Sequence, residues 1–286
     1  ADSEYEVVAY TGSATSVIIP ATYAGKNVTA ILPEVCKDNT TMTSVTIGDN
    51  VTTIGASAFE NCDALTTVNF GSGVTTINAK AFYDCDALTS VDLPDAVTDV
   101  GRDAFVSCDA LTTFNIGRGF TDHTGNFLAY CPQLTTLTTS RGNDNGYLCV
   151  DNVLIHNVGE YRSYVIACAP GKTGDYVIPV SSLTNYTVNV FGSCFASCTG
   201  LTSVTFPAGK KFSLGKGVFD GAYNLRYVDL SAITGTIEDV KYTVNRSDAD
   251  SPFYGMSEYT MIYLPISHSA ANDEVNAVIG GTATAG

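Results

Sequence analysis

Cationic side chains are scarce in this chain, with 14 Lys and Arg against 29 Asp and Glu in 286 residues and a net charge of −15. A field of that sign repels phosphate, because nucleic acids and anionic membranes are both held by clustered cations. Nucleic acid is therefore excluded as a partner. No apolar run approaches the roughly 18 to 20 residues that a spanning helix needs, so no membrane insertion is expected within the chain. The first residues, "ADSEYEVV", carry neither a charged n-region nor an apolar h-region. Either the protein is cytosolic or its export signal has been removed. The low Lys content and the wealth of Thr, Ser, Asn and Gly favour export, and hence a secreted or cell-surface protein. Hydrolase signatures are missing too: there is no Gly-x-Ser-x-Gly and no His-Glu-x-x-His, and the only His are His123, His156 and His268. Trp is absent, and the aromatic content rests on 16 Tyr and 13 Phe, as suits a strand-rich protein with a polar surface.

What is abundant is repetition. "ENCDALTTVNF" starts at Glu60, "YDCDALTSVDL" at Tyr83 and "VSCDALTTFNI" at Val106, each 23 residues after the last. Aligned on these phrases, a Phe column holds Phe59, Phe82, Phe105, Phe195, Phe219 and Phe253, with Cys36 and Leu128 as substitutes. A Cys column follows three residues on with Cys62, Cys85, Cys108, Cys131 and Cys198, where Asn39, Ala222 and Met256 stand in elsewhere. An aliphatic column runs through Met42, Leu65, Leu88, Leu111, Leu134, Leu201, Leu225 and, less well, Tyr259. Strand cores such as Val45/Ile47, Val68/Phe70 and Val91/Leu93 come next, and a second apolar pair recurs as Val51/Ile54, Val74/Ile77 and Val97/Val100. Each unit reads as strand, turn, short strand, one helical turn, corner, strand. A unit this short cannot bury its own apolar face, whereas stacked units cover one another.

The pattern L-T-x-V-x-I … V-T-x-I-x-x-x-A-F-x-x-C-x-x-L resembles the BspA-type leucine-rich repeats of bacterial surface proteins. The resemblance extends from about Tyr5 to Pro265, and it implies a right-handed leucine-rich-repeat solenoid, export, and a role in adhesion or protein binding. About ten coils are expected, with a parallel sheet on one face and short helical turns opposite. Residues 1–40 read as an N-terminal cap and first coil, 41–140 as regular repeats, and 175–265 as further repeats. Residues 266–286 read as a C-terminal cap or tail. Residues 141–174 break the period. "YLCVDNVLIHNVGEYRSYVIACAPG" reads there as two strands about a turn near Val158–Gly159, a β-hairpin projecting from the solenoid, and it looks like an insertion recurrent in the family.

Two repeated residues invite a chemical reading. A column of thiols suggests a metal or redox array, but zinc needs local pairs converging on one point, and Ala222 and Met256 fill the same slot. A small, buryable side chain at a tight corner is the simpler account. Cys149 and Cys168 fall opposite each other if the hairpin turns at Val158–Gly159. They then form either an oxidisable pair or two unpaired strand thiols. Asp63, Asp86 and Asp109 would stack about 5 Å apart at the strand spacing. Either a cation neutralises them or each caps a backbone N–H, and Pro132 and Thr199 in that slot favour capping. "PGKTG" (Pro170–Gly174) has Ile166 where a phosphate loop needs glycine, so it is a loop.

These features point to a non-enzymatic binding module without cofactor, metal or catalytic residues, whose partner is a protein or glycan at a surface. A structural spacer that displays another domain or subunit is the alternative. The strand face presents mostly short polar residues, Asn115 and Asp92 among them. Only its last coils add aromatics, with Tyr227 and Tyr263 beside Asp229 and Met261, and these six are the candidate ligand-binding residues.

Overall fold

The computed structural model describes residues 4–123, 126–140, 146–159, 162–233 and 251–263. They fall into two compact units, Ala1–Leu154 and Ile155–Gly286. The first unit opens with β1 (Glu4–Val7), β2 (Ser16–Ile19), β3 (Thr22–Tyr23) and β4 (Lys26–Ile31). Longer strands then alternate with two-residue strands: β5 (Ser44–Ile47), β6 (Thr53–Ile54), β7 (Thr67–Asn69), β8 (Thr76–Ile77), β9 (Ser90–Asp92), β10 (Asp99–Val100), β11 (Thr113–Ile116) and β12 (Asp122–His123). β13 (Thr136–Thr139) and β14 (Tyr147–Val150) follow.

The longer strands pair in parallel as β2-β5-β7 and β9-β11-β13, and the short ones as β4-β6-β8-β10-β12. From β4 and β5 onward the register in this unit is one period, so Thr53 faces Thr76 and Thr76 faces Asp99. The opening strand is the exception, with Val17 facing Val45 and Ile19 facing Ile47 at an offset longer than one period. Along each strand the apolar residues turn inward and the alternate polar ones outward, as in the exposed–buried–exposed pattern of Thr67–Asn69.

Threonine does more than decorate this stack. At one corner Thr52, Thr75, Thr98 and Thr121 each donate their hydroxyl to the carbonyl one coil earlier, at 3.1–3.3 Å. At another, Thr43, Thr66, Thr89 and Thr112 do the same at 2.9–3.4 Å. β-branched residues favour extended backbone, and the hydroxyl also satisfies a carbonyl at the bend.

The segment expected to be one helical turn is a tighter device. Ser57 and Asn61 both have positive φ (56° and 58°), as do Lys80 and Asp84 in the next coil and Asp103 and Ser107 in the one after. No helix can run through two left-handed residues four apart. Instead alternate N–H groups aim at the next coil, with Ser57, Phe59 and Asn61 donating to Ala79, Ala81 and Tyr83 at 2.8–3.0 Å. The aromatic core rides on this ladder. Phe59, Phe82 and Phe105 stack nearly parallel at 5.1 and 5.2 Å, and Phe70 and Phe114 meet Phe82 and Phe105 edge-on. Coils approach so closely that a Cβ on Gly71 would lie 2.5 Å from the Gly48 carbonyl oxygen.

The second unit contains β15 (Val153–Val158, entering from the first), β16 (Arg162–Cys168), β17 (Thr173–Val177), a 3-10 turn at Val180–Ser182, β18 (Thr187–Val190), β19 (Gly200–Thr205), β20 (Lys211–Leu214), β21 (Tyr227–Asp229) and β22 (Met261–Tyr263). Its longer strands pair as β17-β19-β21-β22 in parallel. Six long strands in the first unit and four here, among the described residues, accord with the expectation of about ten coils. The turn ladder recurs, with Ser193, Phe195 and Ser197 donating to Lys216, Val218 and Asp220 at 2.7–3.0 Å.

β15 neighbours β16 across a three-residue connection, which admits only an antiparallel pair, so the hairpin is present. It does not project. β16 also pairs in parallel with β18, itself paired with β20, and Val165 to Ala169 are buried. Polar side chains fasten it: Asn157 accepts from the Ser163 hydroxyl at 2.6 Å and donates to the Ser182 carbonyl at 2.9 Å, while Asn185 donates to the Arg162 carbonyl at 2.7 Å. An earlier turn at Asp151–Asn152, both with positive φ, ends β14 before β15 begins. Cys149 and Cys168 therefore do not occupy the two arms of one hairpin, and both thiols are free.

Candidate functional site

In the first unit the outward rows of the long strands are Ser90–Thr113–Thr136 and Asp92–Asn115–Thr138. Asn115 is tied down on three sides. Its amide donates to Asp92 at 2.7 Å and to Ser140 at 2.8 Å, and its carbonyl accepts from Thr138 at 3.0 Å. A side chain so engaged stiffens the surface and has little left to offer a partner.

The second unit differs. Its face carries the rows Asp175–Ser203–Tyr227–Met261 and Val177–Thr205–Asp229–Tyr263. Tyr227 and Tyr263 sit on adjacent strands as diagonal neighbours and meet edge-to-face, with centroids 5.8 Å apart and planes at 74°. The Tyr263 hydroxyl donates to Met261 Sδ at 3.7 Å. Met261 and Tyr263 remain 50% and 45% exposed, leaving apolar surface open to solvent on β21 and β22, and Val177 is 56% exposed on β17 at the other edge of the sheet. Two carboxylates share this face, Asp229 beside Tyr263 and Asp175 on β17, each held in place by hydroxyls. Asp229 accepts from the Ser231 N–H at 2.9 Å and hydroxyl at 2.6 Å, and Asp175 accepts from Thr202 at 2.6 Å and Ser203 at 2.7 Å. The hydroxyl bonds from Thr202 and Ser203, and then the Arg226 charge, hold the Asp175 carboxyl below its usual range.

The six sequence candidates thus divide. Tyr227, Asp229, Met261 and Tyr263 are brought together in one unit, and Asn115 and Asp92 hydrogen-bond each other in the other. Asp175 and Val177 were overlooked, although the alternation around buried Tyr176 in "DYV" signals that both point outward. Tyr259 was misplaced. It does not fill the aliphatic column but stands 84% exposed, and Thr260 is buried beside it with its hydroxyl on the Leu225 carbonyl at 2.8 Å. The tail 266–286, proposed to cap this end, lies outside the described residues, as does His268.

The thiol column acquires a definite role. Cys62, Cys85, Cys108 and Cys131 each donate Sγ–H to a main-chain carbonyl 26 residues earlier, that of Cys36, Phe59, Phe82 or Phe105, at 3.2–3.4 Å. Burial pushes the Cys62 thiol up to about 12, so it stays protonated and serves as a hydrogen-bond donor. The corner carboxylates behave otherwise than expected. Asp63, Asp86 and Asp109 stay exposed, and among the described residues none of them caps a backbone N–H. They repel one another instead. Asp86 is raised by partial burial and then by the charges of Asp84, Asp109 and Asp63.

The sequence matches the profile of the BspA-type leucine-rich repeat region in six copies, over residues 29–145 and 179–248, more than half of the chain. The chain belongs to this family. The BspA-type profile leaves out residues 146–178, the stretch that carries the hairpin. Among solved structures, a leucine-rich repeat protein from Eubacterium ventriosum is 17% identical, with 93% of this chain and 79% of that one covered and a TM-score of 0.57. The Treponema pallidum leucine-rich repeat protein is 18% identical over 78% of this chain and 83% of its own, with a TM-score of 0.51. The pneumococcal vaccine antigen PcpA is 14% identical over 96% and 88%, also at 0.51. At such identities the likeness is one of fold. A comparison with curated proteins finds no match.

Proposed function

We propose that this BspA-type chain is a cell-surface or secreted binding module, not an enzyme, and that it grips a protein or glycan partner through the strand face of its second unit. The observation that carries this is the cluster of Tyr227, Met261 and Tyr263 on β21 and β22 beside the pre-set carboxylate Asp229, with Asp175 and exposed Val177 two strands away on the same face. Tyr and Met are enriched where partners are anchored, because they bury large areas and Tyr keeps a hydroxyl for hydrogen bonding. A face of short, mutually bonded Asn, Thr and Asp side chains supplies little of either. Membership of the family and the scarcity of Lys support the surface location. No helix among the described residues is long and apolar enough to cross a membrane.

The test is capture from arrays of glycans and from mixtures of secreted proteins, followed by titration of whatever is captured. Tyr227→Ala with Tyr263→Ala is expected to weaken binding at least tenfold, as loss of about 1.4 kcal/mol or more requires. Asn115→Ala is expected to leave it unchanged. Full binding by the double Tyr variant would overturn the assignment of the face.

A further inference from the structure

Away from the strand face, the second unit gathers three buried cysteines, Cys168, Cys194 and Cys198. Their arrangement breaks the rule of the first unit, where each thiol of the column has a carbonyl to itself. Cys168 Sγ lies 3.6 Å from the Ala169 carbonyl oxygen, and Cys198 Sγ lies 4.0 Å from the same atom. Two sulfurs converging on one oxygen at such long range are poorly satisfied donors that meet at one point of the core, whereas Cys108 and Cys131, which also influence each other, each keep a carbonyl of their own. Cys194 lies against the same strand end, its main-chain carbonyl accepting the Cys168 N–H at 2.9 Å.

We propose that Cys168 and Cys198 form a disulfide site that closes when the chain folds in an oxidising compartment, tying the end of β16 to the corner that precedes β19. The chemistry is exchange with a small disulfide or a dithiol oxidoreductase. One cysteine thiolate attacks the oxidant's S–S bond and releases the first thiol. The second cysteine attacks the resulting mixed disulfide and releases the other. Two protein S–H bonds are lost and one S–S bond is gained, while the oxidant is reduced to two thiols. The bond must form during folding. Once the core closes, burial holds the Cys198 thiol far above the range in which a thiolate is available, so the folded, reduced protein resists the same oxidant. The link would fasten the hairpin, which the repeat period does not specify, to a regular coil.

The experiment is to unfold the reduced protein and refold it in a buffer of oxidised and reduced glutathione. Alkylation under denaturing conditions and mapping of the peptides then locate the thiols. Seven of the nine thiols should alkylate, with Cys168 and Cys198 recovered as one linked peptide and a higher urea midpoint than protein refolded in reductant. Cys198→Ser should alkylate at every remaining thiol, and Cys108→Ser should still form the link. Should Cys198→Ser fail to fold, peptide mapping of the unaltered chain decides alone. Nine alkylated thiols in folded protein, or a link between Cys108 and Cys131 or between Cys168 and Cys194, would show the proposal to be wrong.

Discussion

A sulfhydryl is a weak hydrogen-bond donor, yet in the first unit it is placed where a hydroxyl or amide would cost more to bury. The slot is fully buried, and the acceptor is a carbonyl of the preceding coil. Cys85→Ala is therefore expected to cost about 1–2 kcal/mol, the combined loss of a weak bond and a small volume. Urea denaturation measures it, and a thiol reagent should leave Cys85 untouched until the protein unfolds. That the column is small and buried was legible from Ala222 and Met256 in the same slot. Its acceptor was not, because a partner 26 residues away lies outside any local pattern. The neighbouring Asp residues were misjudged for a related reason. Asp caps turns where an N–H is free, but at this corner Leu65, Leu88 and Leu111 already donate to the Cys carbonyl three residues back, and Ala110 to the Asp86 carbonyl of the preceding coil. Asp84 and Asp86 are instead raised, by burial first and by neighbouring carboxylates second. A carboxyl raised on folding binds its proton more tightly in the native state, so stability rises as pH falls from neutral through that raised value. The rise ends below the unfolded value of about 4. Asp86→Asn should accordingly raise the urea midpoint at pH 7 and lose that advantage near pH 3. An equal gain at both pH values would mean that charge is not its source.

At the scale of the element, strands were read correctly because their period of two survives in the sequence, as at Thr67-Val68-Asn69. The turn column was read as helical because Ala-Phe with an apolar residue three or four positions on also fits a helix. The distinguishing signal is subtler: Ser57, Asn61, Asp84, Ser107 and Ser197, and glycine at Gly217, Gly221 and Gly255, occupy the positive-φ sites. These are residue types that tolerate the left-handed region. Asn61→Ala should cost about 1 kcal/mol or somewhat more, since it also loses the 2.7 Å bond to Asp38, and Asn61→Gly less. Comparing the two by chemical denaturation separates backbone strain from the lost bond. The hairpin was legible as a break in period, but its docking was not, because β16 supplies the alternation of an ordinary strand whether or not β18 lies beside it. Excising residues 147–169 removes β16 and the buried run from Val165 to Ala169. The second unit should then lose cooperative unfolding, which far- and near-ultraviolet circular dichroism would report.

For the molecule as a whole, the repeat decides more than stability. In the regular coils of the first unit the ladder bonds that join one coil to the next, such as those from Thr75 to Thr52 and from Phe59 to Ala81, connect residues by a rule that reads the same in the coil above and the coil below. Length is therefore a free variable, as it is in a chain of identical links. Cutting out Thr67 through Thr89 removes one 23-residue period and joins Thr66 to Ser90, so Leu65 and Val91 again stand at their proper spacing. Such a chain should fold with a shorter first unit and keep its sheet signal. A cut one residue shorter puts every downstream core residue on the wrong face and should yield an aggregate. Unequal recombination between neighbouring repeats would generate only the first kind of product without penalty. A gene for such a chain can thus lengthen or shorten its protein by whole coils, changing how far a surface reaches without redesigning any part of it.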